Sequence, residues 1–135
     1  VLLLVLDKDH TTSENIRHTK KFVVVLPSED QKKIALDLGS VHGRDVGNKL
    51  LIKDVKTEKS QKFGLDVMSG ALAYFECELQ DEMLFEEKGI CLSKVVNVYV
   101  KDDSWDDKEE CFNPGFKRTL HHVTGSTFCS GGELV

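Results

Sequence analysis

Residues 70–100 read GALAYFECELQDEMLFEEKGICLSKVVNVYV and contain the two longest strand patterns of the chain. The first pattern alternates between two faces, which is typical of a half-buried strand. Its more apolar face carries Ala71, Ala73, Phe75, Cys77 and Leu79. The second pattern, residues 90–100, is rich in β-branched residues and nearly apolar on both faces. Two strands of this kind predict a mainly β fold, a β-barrel with peripheral helices.

The segment that joins these two strands is acidic and includes Glu82, Glu86 and Glu87. Charged side chains are seldom buried without a partner, so a polar connection between strands normally lies in solvent. We therefore interpret this segment as the solvated end of a hairpin.

Length and charge limit the possible partners. A chain of 135 residues predicts a single domain over residues 1–135 with a core of its own. The net charge is −5 and the sequence contains no basic stripe, so we expect neither nucleic acid nor a membrane as a partner. The four cysteines show no CxxC or metal-ligand spacing, which favours reduced thiols and a cytoplasmic location.

The first six residues, VLLLVL, predict an apolar strand that is too short to span a bilayer. A fully buried strand normally has a neighbouring strand on each side. We therefore expect the chain to begin partway through its domain, so that N-terminal strands are missing.

Two capping patterns predict helices after the first and second strands. Thr11 with Glu14 and Ser28 with Gln31 each place a hydroxyl three residues before an acidic or amide side chain. Gly39 is predicted to be the C′ residue, just beyond the end of the second helix. Residues 55–70 are expected to be irregular apart from one short strand. Residues 101–115 are expected to form a loop that a turn at 113–115 closes. The tail is expected to form two short strands around a glycine turn.

Three places could carry a site. Residues 8–12 precede a helix and could bind an anion through backbone amides and the Thr12 hydroxyl, or could only cap that helix. The glycine-containing segment with Ser40, Arg44 and Lys49 could approach a phosphate, or could be a surface turn. His121 and His122 are adjacent in a predicted strand and point to opposite faces, which argues against a shared metal. No set of side chains in the sequence supplies redox chemistry unaided, so any redox reaction would depend on a cofactor.

Six ordered parts of the chain give it a family resemblance. The first is the N-terminal strand followed by Thr12; the others are residues 22–31 (FVVVLPSEDQ), 39–49 (GSVHGRDVGNK), 70–82 (GALAYFECELQDE), 93–100 (SKVVNVYV) and 121–135 (HHVTGSTFCSGGELV). Together they resemble the flavin reductase family, in particular its flavoredoxin-like branch. The resemblance implies an FMN-binding split β-barrel that forms a homodimer, with flavin near the subunit interface. Such proteins reduce flavin with NAD(P)H or carry electrons on bound FMN.

The same resemblance implies roles for individual residues. Thr12 resembles the hydroxyl that meets the phosphate or ribityl part of FMN, and Lys49 resembles the lysine that follows the GRD motif. Ser40 and Arg44 lie in that loop and would line the site. Phe128 resembles the aromatic residue that packs beside the flavin.

One position departs from the family pattern. Lys88 lies where the family usually has a histidine, and its ammonium group can still donate to a phosphate or flavin oxygen.

Three functions follow as expectations. The first is NAD(P)H-dependent flavin reduction that passes electrons to a redox partner or to free flavin. The second is a flavoredoxin-type electron carrier without strong nicotinamide use, because Lys88 replaces the usual histidine. The third is a truncated, non-catalytic barrel that only dimerises.

Overall fold

The computed structural model of the chain describes residues 1–52, 54–113 and 115–132. The helices are α1 (Thr11–Thr19), α2 (Lys32–Gly39), α3 (Gly43–Val46), α4 (Lys49–Ile52) and α5 (Glu82–Lys88). The strands are β1 (Leu2–Val5), β2 (Lys21–Leu26), β3 (Thr57–Lys59), β4 (Asp66–Met68), β5 (Ala73–Leu79), β6 (Ile90–Val100), β7 (Trp105–Asp106), β8 (Cys111–Phe112), β9 (Leu120–Thr124) and β10 (Thr127–Ser130). Single 3-10 turns occupy Glu29–Gln31 and Asp102–Ser104.

A four-stranded antiparallel sheet, in the order β1-β6-β5-β2, forms the centre of the fold and curls into half a barrel. The two long predicted strands are its central pair, with Phe75 opposite Val98. The register shifts between Glu76 and Cys77, where a bulge increases the local twist of the pair. The prediction of a mainly β fold is therefore confirmed.

Three two-stranded sheets, β3–β4, β7–β8 and β9–β10, flank the central sheet. The prediction that residues 55–70 are largely irregular is wrong, because Thr57–Lys59 pairs with Asp66–Met68 as a hairpin. The two short strands of the tail are confirmed, and Gly125 in their turn has a φ of 52°. Pro114, at the centre of the predicted turn at 113–115, lies outside the described residues.

Strand β1 is an edge strand, and the prediction that it is fully buried is wrong. Among the described strands it pairs only with β6, and its side chains alternate between the two faces of the sheet. Leu4 packs against the core, whereas the side chains of Leu3 and Val5 are 57% and 75% exposed. An apolar sequence does not show whether both faces of a strand are covered, because coverage depends on the neighbouring layers.

The core consists of two clusters on the central sheet. One contains Val67, Met68, Ala71 and Tyr74, and the other contains Ile16 of α1, Phe85 of α5 and Cys91 of β6. In the first cluster the Tyr74 hydroxyl donates to the Met68 carbonyl at 2.9 Å and accepts from the Ala71 N–H at 3.0 Å. The buried Tyr74 hydroxyl therefore has both a hydrogen-bond donor and a hydrogen-bond acceptor as partners. In the second cluster Ile16 and Phe85 pack α1 and α5 against the sheet.

The two predicted capping patterns have different outcomes. In the second, the Gln31 side-chain oxygen accepts the Ser28 N–H at 3.1 Å, as the capping box requires. The first is wrong, because the N-cap of α1 is His10 rather than Thr11, and Glu14 pairs with Arg44 instead of closing the helix start. The end of α2 is also shifted, since Gly39 is its last residue and the following serine is the cap.

The acidic connection joins the antiparallel strands β5 and β6 and is exposed at Glu82, Glu86 and Glu87, as predicted, but it is the helix α5. The Asp81 carboxylate caps it by accepting the Leu84 N–H at 2.8 Å. Its acidic side chains reach α1 and the residue after it: Glu86 pairs with Arg17 at 2.8 Å, and Glu82 pairs with Lys20 at 2.6 Å. The acidic residues therefore face basic partners, while Phe85 on the same helix is fully buried.

All four cysteines are free, as predicted. Cys77 and Cys91 are buried, and desolvation raises the pKa of both thiols, so they behave as small apolar side chains. Among the described residues, no helix is both long enough and apolar enough to cross a membrane.

Candidate functional site

The first cleft lies between the start of α1 and the segment that contains α3 and the beginning of α4. Its volume is about 370 Å³. It is lined by Thr11, Thr12, Asn15, Gly43, Gly47, Asn48 and Lys49. It thus brings together Thr12 and Lys49, two residues predicted to share a site from distant parts of the sequence.

Glycine allows the two walls of this cleft to approach each other. A Cβ at Gly43 would lie 3.0 Å from the Thr11 Cγ2 atom, closer than side chains normally pack. Gly47 has a φ of +69°, a conformation that favours glycine. Local geometry therefore favours glycine at positions 43 and 47, whatever binds in the cleft.

The lining of this cleft is polar and carries positive charge. Among the described lining residues Lys49 is the one that is charged. Its Nζ atom donates to the Leu38 carbonyl at 3.0 Å, which leaves two ammonium protons for other acceptors. Thr12 and Asn15 are exposed, and their side chains make no hydrogen bond to any part of the chain that the structure describes. The nine-residue α1 begins here, so its dipole adds to the positive potential. The arrangement suits an anion.

Arg44 lies next to this cleft but is engaged elsewhere. Its guanidinium group forms an ion pair with Glu14 of α1. The hydrogen bond from Arg44 lowers the pKa of the Glu14 carboxyl, and the same bond raises the pKa of Arg44. The ion pair ties α3 to α1 at the surface, so Arg44 supports the wall of the cleft without lining it.

A second cleft, with a volume of about 530 Å³, lies between the end of α2 and the β9–β10 hairpin. It is lined by Ala35, Leu36, Gly39, Ser40, His122, Gly125, Ser126 and Phe128. The structure therefore brings Ser40 and Phe128 together, as predicted for a shared site, but in a different cleft from Thr12 and Lys49. Both clefts flank the end of α2, since Lys49 binds Leu38 and Ser40 follows two residues later.

The aromatic wall of the second cleft is built by the hairpin. The rings of His122 and Phe128 are 4.9 Å apart, and the Nε2 atom of His122 lies 2.9 Å from the Gly125 carbonyl oxygen. His121 has a different partner, Thr119 Oγ1 at 2.8 Å from its Nε2 atom. The two histidines therefore have separate environments, and the described residues contain no cluster of metal-ligating side chains.

Lys88 is the sixth predicted site residue. It is exposed at the end of α5 and lines neither cleft. The sequence interpretation missed Asn15 and His122 as lining residues. Asn15 could have been found from helical spacing, because it lies one turn after Thr11 and Thr12 and so shares their face. No sequence signal places His122 beside α2, because that contact depends on how the hairpin docks.

The family model described as flavin reductase like domain matches residues 1–123 of the chain. An uncharacterized Escherichia coli protein, YddH, is 29% identical over 134 residues, which cover 98% of this chain and 70% of that protein.

Solved structures with the same fold carry related descriptions. An FMN-binding domain of a flavin reductases-like enzyme from Shewanella baltica has a TM-score of 0.85 and 25% identity, and the match covers 98% of this chain and 71% of that one. The flavoredoxin of Desulfovibrio vulgaris has a TM-score of 0.79 and 14% identity, with coverages of 98% and 70%. The predicted fold is thus the fold of these flavin reductase-like barrels.

Proposed function

Because the chain belongs to the flavin reductase like domain family, we propose that it is an FMN-binding oxidoreductase domain. The single observation that carries this proposal is the first cleft, which joins Thr12, Asn15 and Lys49 at the start of α1. Its hydroxyl, amide and ammonium groups, with no acidic residue among them, fit the phosphate end of FMN. Bound FMN would supply the redox chemistry that the side chains lack.

The roles of the chain's own residues follow from their chemistry. Lys49 would donate to a phosphate oxygen while its bond to the Leu38 carbonyl holds the ammonium group in place. Thr12 would donate its hydroxyl to the phosphate or the ribityl chain, and Arg44 would hold α3 against α1 through Glu14. Flavin contacts of Ser40, Lys88 and Phe128 stay predictions.

FMN titration of the chain, followed by flavin absorbance, tests the site. We expect saturable binding that the Lys49→Met substitution weakens about tenfold or more, because a charge-assisted hydrogen bond is lost. Lys33→Met is the matched control, since Lys33 is 86% exposed and pairs with Asp37 instead. A folded chain that retains no flavin, or equal losses in both variants, would contradict the proposal and support the non-catalytic barrel.

The electron donor is proposed to be NAD(P)H, with a redox partner or free flavin as the acceptor. Anaerobic titration of the FMN-loaded chain with NADH and NADPH tests this directly, because reduction bleaches the flavin spectrum. The alternative is a flavoredoxin-type carrier without strong nicotinamide use, and the observation that favours it is Lys88 in place of the usual histidine. If Lys88→His gains no nicotinamide-dependent reduction, the residue at 88 does not explain a carrier role.

We also propose that the chain forms a homodimer and functions in the cytoplasm. The exposed apolar side chains of Leu3 and Val5 lie on the edge strand β1, and such an edge can pair with another chain. The free cysteines fit a reducing compartment. Sedimentation velocity should give a dimer, and lysines at both positions should shift it toward monomer. A wild-type monomer at high concentration would contradict the homodimer.

A further inference from the structure

The second cleft has the composition of a small-molecule site. Its volume of about 530 Å³ falls within the usual range for such sites. Ala35 and Leu36 of α2 and Phe128 of the hairpin give it an apolar lining, to which Ser40, His122 and Ser126 add a few polar groups. An apolar slot between an aromatic ring and an aliphatic helix face suits a planar, hydrophobic ligand.

A lysine that has no acidic partner in the described part of the chain lies beside this cleft. The Lys32 Nζ atom is 5.8 Å from the centre of the Phe128 ring. Within the described residues Lys32 forms no ion pair, whereas its neighbour Lys33 is paired with Asp37. The positive charge at this edge of the cleft is therefore available to an anionic group of a ligand.

The polar groups inside the cleft are mainly acceptors. His122 Nε2 lies 2.9 Å from the Gly125 carbonyl oxygen, so this nitrogen carries the proton and donates. In the neutral ring Nδ1 is then an acceptor. The Ser40 hydroxyl donates to the Asp37 carbonyl at 2.9 Å, which leaves its lone pairs to accept. A ligand matched to these groups carries a hydrogen-bond donor of its own.

We propose that the cleft between α2 and the β9–β10 hairpin binds a planar aromatic carboxylate that carries a hydroxyl or amino group. The ring packs against Phe128 and Leu36, the carboxylate pairs with Lys32, and the donor meets His122 or Ser40. The proposal concerns binding alone and takes the place of the predicted flavin contacts of Ser40 and Phe128, whereas FMN binding in the first cleft is compatible with it. It assigns a ligand to a cleft that the phosphate site does not include.

Titration of the ¹⁵N-labelled chain with 4-hydroxybenzoate, followed by amide chemical shifts, tests this site. We expect saturable shifts that concentrate at Ala35, Ser40, Ser126 and Phe128, with a dissociation constant on the order of 1 mM for so small a ligand. Lys32→Gln should weaken binding about fivefold because the charge pair is lost. Phe128→Leu should weaken it about tenfold, since it removes the aromatic contact and keeps an apolar side chain.

Two controls separate this site from general charge effects. Lys33→Gln removes an equal charge from the same helix and should leave the affinity unchanged. The uncharged probe 4-hydroxybenzyl alcohol should bind wild type and Lys32→Gln equally. The proposal is overturned if no saturable shifts occur at these residues or if both lysine variants weaken binding equally.

FMN provides the last test. Probe shifts that persist in excess FMN support a separate ligand site, whereas displacement of the probe from Ser40 and Phe128 would assign the cleft to the flavin ring and overturn the proposal. A chain that binds the probe but not FMN would keep this inference and reject the proposed flavin function.

Discussion

The carboxylate of Glu76, fully buried in β5, accepts the backbone N–H of Phe63 at 2.7 Å. The same carboxylate accepts the Lys62 N–H at 3.0 and 2.9 Å, and the Asn97 side-chain amide at 2.7 Å. One acidic side chain therefore fastens the β3–β4 hairpin loop to the central sheet. Its buried charge is tolerated because every contact comes from a donor.

Replacing Glu76 with glutamine should destabilise the protein. Glutamine has one acceptor oxygen where glutamate has two, so its NH₂ group must face either the Phe63 and Lys62 N–H groups or the Asn97 amide, and the charge that strengthens these bonds is lost. We expect the free energy of unfolding to fall by about 1–3 kcal/mol in urea denaturation. Glu78→Gln, on the same strand but without these bonds, is the control and should change stability little. Equal losses in the two variants would contradict a clamping role for Glu76.

The stability of the protein should fall in acid partly because of this carboxyl. Burial alone would raise the pKa of Glu76, but the hydrogen bonds from Asn97, Phe63, Ser60 and Lys62 outweigh burial and lower it below 4.5. Because the pKa of this carboxyl is lower in the folded state, the ionised carboxylate stabilises the fold fully above pH 4.5. This stabilisation is lost as the pH falls through the folded-state pKa.

The measurement is the free energy of unfolding as a function of pH for wild type and Glu76→Gln. The difference between the two should be constant near neutral pH and should shrink below pH 4.5. A difference that stays constant throughout the acid range would show that Glu76 is not the titrating group.

The ion pair beside the first cleft should limit anion binding. Glu14→Gln removes a negative charge and releases Arg44, which then adds to the positive potential around Lys49. We expect FMN to bind about threefold more tightly at low salt, with the gain lost at high salt. Glu82 of α5 forms a comparable surface pair with Lys20, so Glu82→Gln serves as the control. Weaker FMN binding in Glu14→Gln would contradict this prediction and show that the pair's support of the cleft wall outweighs its effect on charge.

Gly89 should tolerate no side chain. It has a φ of +69°, and a Cβ there would lie 2.5 Å from the Leu6 carbonyl oxygen. We expect backbone strain in Gly89→Ala to lower the free energy of unfolding by about 1–2 kcal/mol. The clash with the Leu6 carbonyl oxygen should add to this loss. Gly39→Ala, where nothing lies within 4 Å of the added Cβ, should be neutral or stabilising. A thermally unchanged Gly89→Ala would rule out this close approach.

The sequence by itself determined the elements whose signals are local. The long strands, the glycine turn of the tail and the contact of Gln31 with Ser28 follow from periodicity and short-range hydrogen bonding, and the ordered segments were enough to indicate the family. Such signals depend on residues close in the chain, so they survive without knowledge of packing.

Only the tertiary structure decided what depends on contacts between distant residues. It left one face of β1 exposed, turned the acidic connection into a helix held by Arg17 and Lys20, and diverted Glu14 from its helix start to Arg44. It also divided the predicted site residues between two clefts, with Thr12 in one and Phe128 in the other. The physical reason is that burial, ion pairing and cleft shape are set by which elements pack together, and local sequence patterns carry no information about that choice.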